Sequence, residues 1–171
     1  MKKALIIIDM LNDFCDKESA LFVPDNLKII PLIKKEIENA RALGIPIIYV
    51  CDSHDEDDEE FKLWPRHCVK GEHGAMIVDE LKPEKNDIII EKKTYSGFYK
   101  TKLENVLKKL NVDTLILTGC VTNICILFTA FDAFIRGYKV IVKKDCVAGL
   151  DKKESEFALK LMKNVLGVKI E

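Results

Sequence analysis

The chain has 171 residues, of which 48% are hydrophobic and 32% charged, a composition typical of one soluble globular domain. Its formal net charge of −1 argues against a basic surface for nucleic acid or an anionic membrane. No apolar run reaches the roughly 20 residues that span a bilayer, and the strand-like run after Met1 leaves no room for a signal peptide. We therefore expect a single domain over residues 1–171, located in the cytoplasm.

Six short apolar runs predict β-strands, and segments with a helical period separate them. The runs are rich in Ile and Val and do not alternate with polar residues, as expected for strands buried on both faces of a parallel sheet. The predicted strands are Ala4–Ile8, Ile45–Cys51, Asp87–Ile90, Thr114–Thr118, Tyr138–Val142 and Val168–Ile170. The apolar stripes that predict helices are Ile30, Ile33, Ile37 and Ala40; Leu103, Val106, Leu107 and Leu110; and Phe157, Leu161 and Val165. This alternation predicts a doubly wound α/β sheet.

The long irregular stretch from Asp52 to Gly74 is the first place to expect a functional site. It is acidic, contains histidines and follows a predicted buried strand, where open α/β folds place their ligands. The cysteines are expected to be reduced, because they form no CxxC pair and most are typical of small buried core residues. They are Cys15, Cys51, Cys68, Cys120, Cys125 and Cys146.

Two charged residues follow predicted strands. Asp9 comes directly after the first strand, a position that aspartates occupy in phosphoryl-transfer enzymes, response regulators and hydrolases alike. A haloacid-dehalogenase site would need a second Asp where Leu11 stands, whereas a loop-capping role for Asp9 stays open. Lys93 lies just beyond the third strand, and a solvated surface lysine is its alternative interpretation.

The segment from Thr118 to Cys125 predicts a strand, a glycine turn and the start of a helix. Thr122 or Asn123 can cap that helix, whose core side is expected to carry Phe128, Phe131 and Phe134. Cys125 then falls in the first helical turn, where backbone N–H groups and the helix dipole stabilise a thiolate.

Parallel strands bring their carboxyl ends to one edge of the sheet. Asp9, Lys93 and Cys125 are therefore expected to converge there as a base, a cation and a nucleophile.

Asp52, His54 and His67 predict a metal site in the long loop. An Asp-x-His pair after a strand, followed by another His, supplies three nitrogen and oxygen ligands and leaves open coordination positions. Glu60 is the favoured further ligand, ahead of Glu59 or Asp58, and ordinary surface histidines are the alternative.

Three motifs in order resemble those of the isochorismatase-like cysteine hydrolases. They are Ile7-Ile8-Asp9-Met10-Leu11-Asn12-Asp13-Phe14, Glu91-Lys92-Lys93-Thr94-Tyr95-Ser96-Gly97-Phe98, and Gly119 to Cys125. The resemblance implies a three-layer α/β/α fold with a six-stranded parallel sheet and a triad of Asp9, Lys93 and Cys125. It also implies a cis peptide between Cys120 and Val121, with the N–H groups of Val121 and Cys125 as oxyanion donors.

The segment Trp64-Pro65-Arg66-His67-Cys68 resembles the nicotinamidase branch of this superfamily. That resemblance implies hydrolysis of nicotinamide through a cysteine thioester. It also implies a divalent metal, Zn²⁺ ahead of Fe²⁺ or Mn²⁺, that holds the ring nitrogen, with Phe14, Trp64 and Tyr95 as pocket walls. A small amide as substrate and a homo-oligomer are the expected partners.

Other functions stay open at this point. A relative within the superfamily could act on another small amide, a carbamoyl compound or a vinyl ether. A domain without catalytic activity could serve in binding or assembly. A structural zinc protein is disfavoured, because the Asp/His set lacks the cysteine-rich closed shell of such sites.

Overall fold

The computed structural model describes residues 1–171 and contains a six-stranded parallel sheet with helices on both faces. The strands are β1 (Lys3–Ile8), β2 (Ile47–Asp52), β3 (Ile88–Lys92), β4 (Thr114–Cys120), β5 (Lys139–Ala148) and β6 (Lys169–Ile170). Their order across the sheet is β3-β2-β1-β4-β5-β6, and every neighbouring pair is parallel. The order reverses between β1 and β4, so a crevice is expected at their carboxyl ends. The predicted three-layer α/β/α class is confirmed.

The helices divide the core into two apolar layers. They are α1 (Asn12–Cys15), α2 (Asn26–Ala42), α3 (Leu103–Lys109), α4 (Leu127–Ile135) and α5 (Lys152–Leu166). On one face, Ile33 and Ile37 of α2 join Leu5 and Ile7 of β1 in a single cluster. On the other face, α3, α4 and α5 cover the alternate residues of β1, which follows from the two-residue period of a strand. None of the helices combines the length and apolar character needed to cross a bilayer.

Two helices bury faces other than those expected from the sequence. Phe128, Phe131 and Phe134 are 44–46% exposed, so their predicted core side is wrong. The small side chains of Ala130 and Ala133 face the sheet instead, which lets α4 approach the strands closely.

In α5 the predicted stripe also lies off the core. Phe157 and Val165 are exposed, whereas Ala158 and Met162 are buried. Both helices form where the sequence predicted them, but with a different rotation. Cys125, predicted in the first turn of α4, lies just before that helix in the turn Thr122–Ile126. The homo-oligomer expected from the sequence stays a prediction.

Candidate active site

A lysine, an aspartate and a cysteine meet at the carboxyl edge of the sheet. Asp9 follows β1, Lys92 ends β3, and Cys125 lies in the turn before α4. The Lys92 Nζ is 2.8 Å from the Asp9 Oδ2 and 3.5 Å from the Cys125 Sγ. The Asp9 carboxylate and the Cys125 Sγ lie within 4.8 Å of each other. The structure therefore assembles a base, a cation and a thiol in one buried cluster.

The placement predicted for Lys93 is wrong, because the neighbouring Lys92 occupies the cluster. The Lys93 side chain is 58% exposed and pairs with Asp55 at the surface, whereas the Lys92 side chain is fully buried. Strand β3 lies at the edge of the sheet and alternates between buried and exposed residues. Lys92 faces inward with Ile90, two residues earlier, and the next residue faces outward. The two-residue alternation of a strand could have identified Lys92, but the three consecutive isoleucines hid which residues of the strand face inward.

The turn that carries Cys125 begins where β4 approaches β1. Gly119 has a φ of +110°, and a Cβ there would lie 2.0 Å from the Ile8 carbonyl oxygen, so only glycine fits. The peptide bond between Cys120 and Val121 is cis, as the resemblance implied. A π-helical turn follows over Thr122–Ile126, in which the Ile126 N–H donates to the Val121 carbonyl oxygen.

Backbone donors are present in this turn without a side-chain cap. The Val121 N–H has no acceptor within the protein, and Val121 lines the cavity beside Cys125. The predicted cap is wrong, because the Thr122 hydroxyl has no partner and the Asn123 amide donates to Glu154. The turn thus leaves the Val121 N–H free to meet a bound carbonyl oxygen.

Burial and charge set the protonation states of the cluster. Burial, together with the negative charge of Asp52, raises the pKa of Asp9 to about 6. Burial also raises the pKa of the Cys125 thiol well above its usual value, although Lys92 acts in the opposite direction. Burial alone would lower the pKa of Lys92, but Asp52 and Asp9 hold that pKa well above its usual range. The resting cysteine is therefore a protonated thiol with a carboxylate beside it.

Asp52 links this cluster to the predicted metal ligands. Its backbone N–H donates to the Asp9 Oδ1 over 2.8 Å, and its carboxylate contacts the Lys92 ammonium. Burial would raise the pKa of Asp52, but Lys92 and His54 together hold that pKa below its usual value. Asp52 is therefore an anion shared by the two groups of residues.

The predicted ligands Asp52, His54 and His67 do come together. Their donor atoms lie within 4.8 Å of one another, and all three residues are buried. The His67 Nε2 is 4.0 Å from the Asp52 Oδ2 and 3.9 Å from the Glu60 Oε1. Glu60 thus approaches this set on the side of His67 and is available as a further ligand, whereas Glu59 is exposed and pairs with Lys62.

The chemistry of this donor set fits a divalent cation. The His54 Nε2 is buried without a hydrogen-bond partner, and burial lowers the pKa of His67, which favours the neutral imidazole that metals bind. A second group, formed by Asp9, Asp52 and Cys125, has similar spacing. The Lys92 ammonium already contacts all three of those residues, so a metal cation would meet like charge there.

A cavity partly open to solvent joins Cys125 to the predicted metal ligands. Its predicted walls Phe14, Trp64 and Tyr95 all line it, and the Trp64 Nε1 donates to the Tyr95 hydroxyl over 3.1 Å. The sequence analysis missed three further lining residues, Leu21, Ile124 and Leu150. They come from separate loops and turns, and no local pattern distinguishes them from ordinary apolar residues.

Comparison with known proteins assigns nearly the whole chain to one family. Residues 3–170 match the family model of the isochorismatase domain. N-carbamoylsarcosine amidase from Thermoplasma acidophilum is 38% identical, with a TM-score of 0.92, and the match covers 100% of this chain and 96% of that one. Nicotinamidase PncA from Bacillus subtilis is 33% identical, with a TM-score of 0.93, over 99% of each chain. The pyrazinamidase of Pyrococcus horikoshii, solved in complex with zinc, is 34% identical, with a TM-score of 0.94, over 100% of this chain and 99% of that one.

Proposed function

This chain is a member of the isochorismatase family of hydrolases, and we propose that it is a nicotinamidase, which converts nicotinamide and water to nicotinate and ammonia. The observation that carries the proposal is the single cavity shared by Cys125 and the donor set of Asp52, His67 and Glu60. A planar ring amide can lie across it with the amide at the sulfur and the ring nitrogen toward the donor set. Similarity to a nicotinamidase and a pyrazinamidase supports this choice.

The charge of the cavity favours a neutral substrate over an acidic one. Most lining residues are apolar, and the only charged ones are Asp52 and Glu60, both acidic. No Arg or Lys lines the cavity, and the Lys92 ammonium is already paired with two carboxylates. A carbamoyl amino acid would place its carboxylate beside an ion whose charge Asp52 and Glu60 already balance, and no Arg or Lys lines the cavity to pair with it. Aromatic walls, in contrast, suit a stacked pyridine ring.

The reaction proceeds in two halves around Cys125. Asp9 takes the thiol proton as the sulfur attacks the amide carbon, and the Lys92 ammonium lowers the energy of the thiolate. The N–H groups of Val121 and Cys125 receive the oxyanion. Asp9 then gives its proton to the departing nitrogen, so that ammonia leaves and a thioester remains.

The second half removes the acyl group from the sulfur. Asp9, again a carboxylate, takes a proton from water while the water oxygen attacks the thioester carbon. The sulfur departs and recovers the proton from Asp9, which returns the enzyme to its resting thiol. The raised pKa of Asp9, about 6, suits a group that must both accept and donate a proton.

Asp52, His54, His67 and Glu60 would hold the divalent ion, and zinc suits such a set of two imidazoles and two carboxylates. When bound, the ion supplies an open coordination position for the ring nitrogen. The chain's own contribution is to keep both imidazoles buried and the Asp52 carboxylate ionised beside Lys92. Elemental analysis of untagged protein should find about one divalent ion per chain, which His67→Ala should lose. Protein without metal, whose nicotinamide hydrolysis is unaffected by a chelator, would contradict this part of the proposal.

Ammonia release from a small amide panel tests the substrate. Nicotinamide should be turned over fastest. Benzamide, which lacks the ring nitrogen, and N-carbamoylsarcosine, which carries a carboxylate, should both be slower. Cys125→Ala serves as the inactive control. Preference for the carbamoyl acid would move the protein to another branch of the family. No turnover of any compound, with Cys125 still open to alkylation, would favour a domain that binds without catalysis.

A further inference from the structure

Asp58 lies outside the proposed ligand set but touches two of its members. Its Oδ1 accepts a hydrogen bond from the Glu60 backbone N–H over 3.0 Å, at the start of the 3₁₀ turn Glu59–Lys62. Its Oδ2 is 3.2 Å from the His54 Nδ1, although the two groups are not aligned as a regular hydrogen bond. One carboxylate therefore contacts an imidazole ligand and the backbone of a carboxylate ligand.

The two histidines present the same ring nitrogen to the donor set. The His54 Nε2 is 3.8 Å from the Asp52 Oδ1, and the His67 Nε2 faces both Asp52 and Glu60. The opposite nitrogen of His67 is 2.7 Å from the Pro65 carbonyl oxygen, which only accepts. A partner that only accepts favours the proton on Nδ1 and leaves the Nε2 lone pair free for a metal.

We propose that Asp58 is a positioning residue that gives His54 this tautomer and holds Glu60 at the donor set. As an ionised carboxylate, Asp58 can only accept a hydrogen bond. It therefore acts on His54 as the Pro65 carbonyl acts on His67. The His54 side chain is fully buried, so bulk solvent does not reach its Nδ1. Asp58 does not line the cavity, so it acts through the ligands and contacts no substrate. The inference rests on the proposed metal site and is independent of the identity of the amide.

Two substitutions distinguish the effect of Asp58 on the His54 tautomer from its effect on the 3₁₀ turn. Asp58→Asn keeps an oxygen that can accept from the Glu60 N–H, but its amide nitrogen would donate toward the His54 Nδ1. That donation favours a proton on Nε2, which blocks metal binding. Asp58→Ser also keeps an acceptor for the turn and leaves His54 without a partner. Asp57→Asn is the matched control, because it removes the same charge from an exposed neighbour.

The readout is zinc affinity, measured by competition with a chromophoric chelator in the absence of substrate. We expect Asp58→Asn to weaken binding by about 10–100-fold and Asp58→Ser by less, as found for residues that support metal ligands elsewhere. The rate of Cys125 alkylation by iodoacetamide, measured without metal, should match that of the unmodified protein in all three variants. Equal alkylation rates would confirm that the fold around the cysteine is intact.

Each outcome decides one question. Asp58→Asn with the zinc affinity of the unmodified protein overturns the role of Asp58, while that zinc binding still supports the metal site. Equal losses in Asp58→Asn and Asp57→Asn show a general charge effect and also overturn it. An unmodified protein that binds no zinc overturns the metal site and this inference together. Zinc binding without hydrolysis of any amide contradicts the proposed function alone.

Discussion

Replacing Lys92 by Met should slow amide hydrolysis far more than replacing its neighbour Lys93. The Lys92 ammonium is 3.5 Å from the Cys125 sulfur, and at an effective dielectric of about 20 it lowers the energy of a thiolate there by roughly 5 kcal/mol. Loss of that energy from the transition state corresponds to about three to four powers of ten in rate. Lys93 is exposed and paired with Asp55, so Lys93→Met removes no charge from the cluster.

The free energy of unfolding should fall as well, by an amount comparable with the loss in transition-state stabilisation. Lys92→Met leaves Asp9 and Asp52 buried without their cation, a loss of about 3–5 kcal/mol in the free energy of unfolding. A surface pair such as that of Lys93 contributes about 0–1 kcal/mol. A domain of ordinary stability, about 5–15 kcal/mol, should keep a positive free energy of unfolding in both variants unless it lies at the lower end of that range.

The assay is ammonia release from nicotinamide at saturating substrate, beside urea unfolding of the same protein samples. Iodoacetamide alkylation of Cys125 adds a readout that needs no substrate and should also slow in Lys92→Met. If Lys92→Met does not fold, Lys92→Gln retains a polar group beside Asp9 and permits the same comparison. A folded Lys92 variant within about tenfold of the normal rate would refute the electrostatic argument. So would a Lys93→Met enzyme that loses activity to the same extent.

Three further predictions follow from the site and its turn. Cys125→Ala should abolish hydrolysis, whereas Cys146→Ala, a buried cysteine outside the cavity, should keep a near-normal rate; the reverse order would refute the nucleophile. The pKa of Asp9, raised by burial to about 6, predicts that kcat/KM rises with pH through that value, because the free carboxylate must accept the thiol proton. A flat kcat/KM from pH 5 to 7, on either side of that pKa of about 6, would contradict this role. Gly119→Ala should cost more than about 4 kcal/mol in urea unfolding, because its Cβ would meet the Ile8 carbonyl oxygen. Gly44→Ala, with positive φ but open space around it, should cost only about 1–2 kcal/mol, and equal losses would refute the steric argument.

The sequence by itself determined the architecture and most of the site. Apolar runs of strand length separated by amphipathic segments lead to a parallel α/β sheet, because such strands must be covered on both faces. Residues that directly follow these runs then lie at one edge, which predicts the positions of Asp9 and of the candidate metal ligands Asp52 and His54. These inferences depend only on local period and chain direction, both of which are written in the sequence.

The tertiary structure decided which face of a strand or helix is buried. Three isoleucines in β3 fit either face, and only the edge position of the strand made Lys92 the buried lysine and Lys93 the exposed one. The face of α4 was likewise open, since aromatic and small apolar residues both fit a core. Close approach to the sheet selected Ala130 and Ala133 and left the phenylalanines outside.

Among the acidic residues of the long loop, composition offered several equivalent ligands. The 3₁₀ turn over Glu59–Lys62 directs Glu60 toward His67 and leaves Asp58 behind His54. Such choices depend on contacts between segments distant in sequence, and no local pattern records them.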